Sequence, residues 1–187
     1  PDKQSTPPSR ELSLAEPLVV AKLSAEAKRT DDALEFYQFA IQQQPEKASA
    51  LYAEVGEVLF EAEKYADAAK WYRKAVDDPS VDQKANFLFL LSNAEALAGN
   101  FPAALEAIKQ AQAQVPNAAL VHYQEGWIYY QANRLEEAVE QFEKVIAKFP
   151  QDDEYVRRCK FTLSAIYVQQ GELRKGVHRN CTTEIIV

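Results

Sequence analysis

Apolar and polar positions along this chain repeat with the period of an α-helix, not with the two-residue alternation of a strand. In DDALEFYQFAIQQQ, for example, Ala33, Tyr37 and Ala40 share one face and polar residues fill the opposite one. The same small–aromatic–small pattern returns at intervals of about 34 to 38 residues. One copy reads Gly56, Leu59, Tyr65, Ala68, Tyr72 and Ala75. The clearest reads Gly126, Tyr129, Ala138, Phe142 and Pro150, inside GWIYYQANRLEEAVEQFEKVIAKFP. A fixed period of this length predicts one helical hairpin stacked repeatedly, each unit too small to bury its apolar face alone. The small residues let two helix backbones approach, and Tyr72 and Phe142 fill the space between ridges. Prolines at the ends of units stop the helices and turn the chain back.

The pattern divides the chain into a flexible, proline-rich linker over residues 1–13, a repeat domain over 14–171 and an irregular tail over 172–187. The repeats run over about 14–48, 49–84, 85–118 and 119–156, and the first helix of a fifth extends to 171. Pro17 is expected at the first helical position, where its missing N–H costs nothing. Ser80 with Gln83 reads as a capping box for the third hairpin, and Asn117 as a cap for the fourth. Gly99 marks a turn inside the third hairpin, whose second helix opens with Pro102 and ends at Pro116; Gly171 closes the last helix. Beyond it, Gly176 replaces the usual alanine and VHRNCTTEIIV is rich in β-branched residues. Three readings of this tail stay open: a frayed terminus, an irregular cap over the last hairpin, or a free Ile185-Ile186-Val187 end read by a partner's sheet edge.

At these glycine, alanine, aromatic and proline positions the chain resembles the tetratricopeptide repeat (TPR) family. The resemblance implies an all-α, right-handed α-solenoid of antiparallel helix hairpins, about four and a half repeats long. The third repeat departs from the family pattern, with Ser92 in place of glycine and Glu95 in place of tyrosine. It also implies a protein-binding scaffold whose first helices line a concave groove. With Gly126 turned toward its hairpin partner, Tyr123, Trp127 and Tyr130 share the groove face at i, i+4 and i+7. The equivalent positions are Phe89, Asn93 and Ala96 in the third repeat, Phe161, Ala165 and Val168 in the fifth, and Ala53, Glu57 and Phe60 in the second. The candidate partner-binding residues are therefore Phe89, Asn93, Tyr123, Trp127, Tyr130 and Phe161. Asn93 offers both donors and acceptors to a ligand backbone, and Trp127 has the character of an interface anchor. The competing reading makes these aromatics ordinary filling between adjacent first helices. Slots that in some family members hold a basic clamp for acidic tails are filled here by Ala50, Ala53, Asn86 and Phe89. The expected partner is thus a protein or peptide with hydrophobic or aromatic character. The alternative is an assembly subunit, a homo-oligomer or a piece docked to a neighbouring domain through its exposed terminal hairpins. A third class, a regulatory piece of a larger enzyme, has no motif in its favour.

Charge and composition narrow the chemistry. A net charge of −7, with no basic cluster longer than Arg157–Arg158 and Lys160, speaks against nucleic acid as a partner. No apolar run approaches the roughly 18 residues needed to span a bilayer, so no direct membrane insertion is expected. The chain starts at Pro1 and has 0 methionines, which predicts a processed or excised piece and leaves its compartment open, cytoplasmic or the extracytoplasmic part of an anchored protein. Cys159 and Cys181 are too few for a disulfide framework. With His178 they make three soft ligands without a fourth, so no metal site is expected. His122 falls where the family often places tryptophan, which implies packing. Glu140 and Lys144 form an i, i+4 pair on a solvated face. No phosphate-binding glycine loop and no nucleophile elbow occur, so neither an enzyme nor a cofactor is expected.

Overall fold

The computed structural model describes residues 15–45, 48–81 and 84–171, with side chains from Pro17 onward. The linker 1–13, Leu14, Gln83 and the tail 172–187, with Gly176, His178, Cys181 and Ile185-Ile186-Val187, lie outside the described residues. Among the described residues there are nine α-helices and no strand: α1 (Ala15–Glu26), α2 (Thr30–Gln43), α3 (Ala48–Glu61), α4 (Tyr65–Asp77), α5 (Ala85–Leu97), α6 (Phe101–Gln114), α7 (Ala119–Gln131), α8 (Leu135–Lys148) and α9 (Asp153–Gln169). They are successive hairpins, about four and a half repeats of an all-α solenoid class. None is long and apolar enough to cross a membrane.

The helices fall into two compact units, one ending at Asp78 and the other beginning at Pro79. The first holds hairpins α1–α2 and α3–α4, joined where α2 packs on α3. In the second, α5–α6 and α7–α8 pack pairwise, α6 lies on α7, and α8 lies on α9. First helices also touch their successors there, α5 with α7 and α7 with α9.

The repeated small–aromatic pairs do what their pattern predicts. A Cβ added to Gly56 would stand 2.5 Å from Cε1 of Tyr72, and one added to Gly126 would stand 2.8 Å from Cε1 of Phe142. Only a residue without a side chain lets these rings lie against the facing helix. In the third repeat the aromatic slot holds Ile108, and the glycine slot holds Ser92. Both are fully buried, and the Ser92 hydroxyl donates to the Phe89 carbonyl at 2.7 Å, so its polar atom is satisfied within its own helix.

Each hairpin turns through a residue in the left-handed conformation: Lys28 (φ 57°), Glu63 (φ 58°), Gly99 (φ 81°) and Asn133 (φ 55°). The following N–H reaches back to close the helix end, as Lys64 N–H does to Leu59 at 2.9 Å and Asn100 N–H to Glu95 at 2.8 Å. Gly171 (φ 71°) ends α9 in the same conformation.

Three expected helix starts move. Pro17 is not the first residue of α1, which begins at Ala15, yet it remains in the first turn, where N–H groups lack intrahelical partners. Ser80 and Asn117 do not cap, because the cap must directly precede the first helical residue. Lys84 and Ala118 hold those places, with no side-chain cap bond. The Lys84 N–H is satisfied from another helix instead, by Oε1 of Gln114 at 3.0 Å. A side-chain cap does occur at Asp152, which accepts from the Tyr155 N–H at 3.3 Å and opens α9.

Candidate partner-binding faces of the first helices

In the second unit, the outward face of α7 carries Tyr123, Trp127 and Tyr130, but the three rings have different surroundings. Tyr123 is half-buried, its ring centroid 5.6 Å from both Phe142 of α8 and Tyr155 of α9. Burial pushes its phenol pKa up, an effect partly countered by the Thr162 hydroxyl and the Arg158 guanidinium. Its ring is therefore built into the join between α7, α8 and α9. Trp127 is also half-buried, and its ring lies 6.1 Å from Tyr130. Across from Trp127, α5 brings Asn93, Ala96 and Leu97 to a crease completed by Gln124, Ile128 and Gln131. The crease encloses only about 10 Å³, room for little more than one water-sized group. A ligand on this face would lie along it, not plunge into it. The Asn93 amide makes no hydrogen bond to the described residues, so its donors and acceptor are unspent.

Of the six residues singled out from sequence, Asn93, Trp127 and Tyr130 thus come together, whereas Tyr123 packs on Phe142 and Tyr155 instead. Phe89 is half-buried on α5. Phe161 stands on α9 with 79% of its surface exposed. Leu97, Gln124 and Gln131 were not anticipated. Leu97 follows Asn93 at i+4, so its place on this face is readable from the helix period. A second unanticipated feature is Glu125, buried where α6 meets α7. It accepts from Nε2 of Gln112 at 2.9 Å, and the same amide lies 3.2 Å from the Val121 carbonyl.

The first unit presents a different face. A cleft of about 430 Å³ is lined by Glu26, Tyr37, Glu54, Glu57 and Glu61, with Lys22 as its single cation. Lys22 Nζ lies 3.3 Å from Oε1 of Glu54. Burial, and then the neighbouring Glu54 carboxylate, raises the Tyr37 phenol well above its ordinary range, so it stays protonated. Of the positions read here from sequence, Glu57 lines the cleft, and Phe60 packs edge-on against Tyr65 at 5.1 Å.

Among the described residues, the cysteine and the histidine are spent on packing. Cys159 is fully buried beside Phe142 and Leu163, and burial pushes its thiol up to about 12. A neutral, enclosed thiol is neither nucleophile nor metal ligand. His122 packs on Phe149 at 5.3 Å, with Nε2 2.9 Å from the Pro116 carbonyl. Glu140 and Lys144 pair at 2.7 Å on an exposed surface.

Among curated proteins, nothing matches this sequence. Several solved structures share its fold. MamA is 17% identical over 93% of this chain and 98% of its own, with a TM-score of 0.68. MamA from Desulfovibrio magneticus RS-1 is 14% identical over 88% and 89%, also at 0.68. YrrB, a TPR protein with an unusual peptide-binding site, is 20% identical over 87% and 80%, at 0.61. At such identities the likeness concerns the fold alone. The sequence itself says more: the tetratricopeptide repeat profile matches residues 21–82 and 88–153, a span that includes both glycine–aromatic joints described above, and the chain belongs to the tetratricopeptide repeat family.

Proposed function

We propose that the second unit captures an extended or helical segment of a partner protein along α5 and α7, in keeping with the scaffolding character of TPR proteins. The observation that carries this reading is Trp127. It sits on the helix phase turned away from the hairpin partner, only half-buried, with Tyr130 on one side and the unspent Asn93 amide on the other. An aromatic platform beside a free amide suits a ligand that presents apolar side chains to the rings and a backbone peptide group to Asn93. Phe89 and Phe161 extend the same series of positions onto α5 and α9, and Tyr123, on the same face of α7, is anchored between Phe142 and Tyr155. The peptide-binding site named for YrrB is compatible with such a use of the fold. No catalytic residue and no cofactor enter this reading.

The test is a pull-down from lysate of the source organism with the wild type, Trp127→Ala and Asn93→Ala, after circular dichroism has established that all three are equally helical. A specific partner is expected to be held by the wild type and weakened at least about tenfold by Trp127→Ala, the scale of an interface hot spot. Recovery of the same proteins by wild type and Trp127→Ala would remove the site from this face and return Trp127 to the core.

A further inference from the structure

In the second unit neighbouring first helices cover one another, and α1 and α9 each carry a bare apolar row at positions that such a neighbour covers there. On α7, Gln124 and Ile128 face Ala96 and Leu97 of α5 across their crease, and Ile128 is 0% exposed. On α1 the same positions, counted from Ala21 as those are from Gly126, hold Val19 and Leu23. Both are exposed, Leu23 to 57%. On the other side of α7, Tyr123 is covered by α9 through Tyr155. Its counterpart on α9 is Phe161, exposed to 79%, and Ala165 and Val168 continue the exposed row at i+4 and i+7. Ala165 and Val168 are in turn the α9 counterparts of Asn93 and Ala96, which lie on the α5 side of the crease.

The two bare rows are therefore complementary halves of one contact that the repeat already makes. We infer that α9 of one copy docks on α1 of a second copy, with Phe161, Ala165 and Val168 against Val19 and Leu23 in the register of α5 against α7. A second copy is the fitting occupant because the crossing and spacing required are those the sequence builds between its own neighbouring first helices. The contact uses different surfaces on the two copies, so it is heterologous and adds copies beyond a pair, into a closed ring or an open chain. One short apolar row a side makes a small interface, with a dissociation constant on the order of 100 µM. Phe161 belongs both to this contact and to the edge of the proposed partner face, whereas Leu23 belongs to this contact alone.

The experiment is light scattering on the full chain from about 10 µM to about 1 mM, bracketing that dissociation constant, for the wild type, Leu23→Asp and Phe161→Asp. Both side chains are largely solvent-exposed, so neither change should disturb folding, which circular dichroism checks. The wild-type mass is expected to climb at least about twofold over this range, past twice the 21.1 kDa monomer at the top, and each variant to stay monomeric. Mixing the variants is the decisive arm. Leu23→Asp retains an intact α9 row and Phe161→Asp an intact α1 row, so the mixture should form a one-to-one complex and stop. A wild type fixed at the monomer mass would overturn the inference, as expected if residues 172–187 cover α9. Growth lost in Phe161→Asp but kept in Leu23→Asp would overturn it in favour of α9 pairing with α9. Growth that survives both changes would place the contact elsewhere.

Discussion

Hairpins α3–α4 and α7–α8 are built on the same joint and show opposite surfaces. Each sets a glycine against an aromatic ring, Gly56 under Tyr72 and Gly126 under Phe142. Each buries an alanine at the matching place on its second helix, Ala68 and Ala138, both 0% exposed. The outward residues do not match. At the positions where α7 carries Tyr123, Trp127 and Tyr130, α3 carries Ala53, Glu57 and Phe60, and Glu57 opens onto an acidic cleft. Even the two tryptophans are used differently. Trp71 of α4 has Lys74 Nζ 3.6 Å above its ring and Tyr52 beside it at 5.8 Å, so its face is already engaged. Among the described residues Trp127 has only Tyr130 as a ring neighbour. Positions facing the hairpin partner are constrained by packing density, while those facing outward are free to carry recognition.

The joint is where that comparison breaks hardest. Phe142→Ala removes a fully buried ring from the core of the second unit and is expected to cost about 3–5 kcal/mol, read as a fall in the denaturant midpoint. Tyr72→Ala should cost a similar amount in the first unit. A loss below about 1 kcal/mol at either site would mean that the ring is not the keystone its burial indicates.

Filling the glycine side is the next smaller test. In a helix, glycine to alanine gains about 1 kcal/mol of propensity. Here the added methyl meets a buried ring at 2.5 Å in Gly56→Ala and 2.8 Å in Gly126→Ala. Overpacking of this kind costs roughly 1–3 kcal/mol, so both variants should be net destabilised, Gly56→Ala more than Gly126→Ala. Pairing Gly126→Ala with Phe142→Leu should recover part of the loss. A gain in stability from either single change would show that the rings yield without cost.

These joints were legible from sequence because glycine and aromatic recur in register with helix ends marked by proline, and each pair lies within one hairpin. What was not legible depends on neighbours further away. Tyr123 and Phe161 occupy the same repeat position, and nothing local distinguishes them; α9 covers Tyr123, whereas Phe161 stands on α9 itself and is 79% exposed. The caps expected at Ser80 and Asn117 failed because the helices begin later, at Ala85 and Ala119, and the first of these starts draws on a distant side chain, Gln114, through the Lys84 N–H. The partly buried Gln112–Glu125 bond likewise joins two helices whose facing sides no single-helix pattern specifies.

One difference within the joint itself responds to pH. Burial, and then the Glu57 carboxylate, holds the Tyr72 phenol above its ordinary range, whereas the matching slot in α8 holds Phe142 and has nothing to ionise. Folded Tyr72 keeps its proton at pH values where the unfolded chain, near a pKa of about 10, releases it. The stability it contributes is therefore intact below about pH 10 and is lost as the pH rises toward its folded value. Denaturant midpoints at about pH 8 and about pH 11 should fall for the wild type and fall less for Tyr72→Phe, with Tyr37 accounting for the remainder in the first unit. Identical falls would mean that Tyr72 ionises without penalty.

The smallest expected effect lies in the turns, where the two hairpins again differ by one residue. Glu63 and Asn133 both sit at positive φ, a conformation that Gly99 adopts in the third repeat. A side chain there is strained by about 1–2 kcal/mol, and asparagine tolerates the region better than glutamate does. Glycine removes the strain but makes the unfolded chain freer, which returns about 0.5–1 kcal/mol. Glu63→Gly should therefore stabilise the protein by about 0.5–1 kcal/mol, and Asn133→Gly by less than half as much. Glu63 is exposed, so no buried packing is lost with its side chain. Thermal unfolding of the two variants side by side makes the check. An equal gain would mean that asparagine has no advantage at this turn, and a loss at Glu63 would mean that the carboxylate makes a favourable interaction that outweighs the strain.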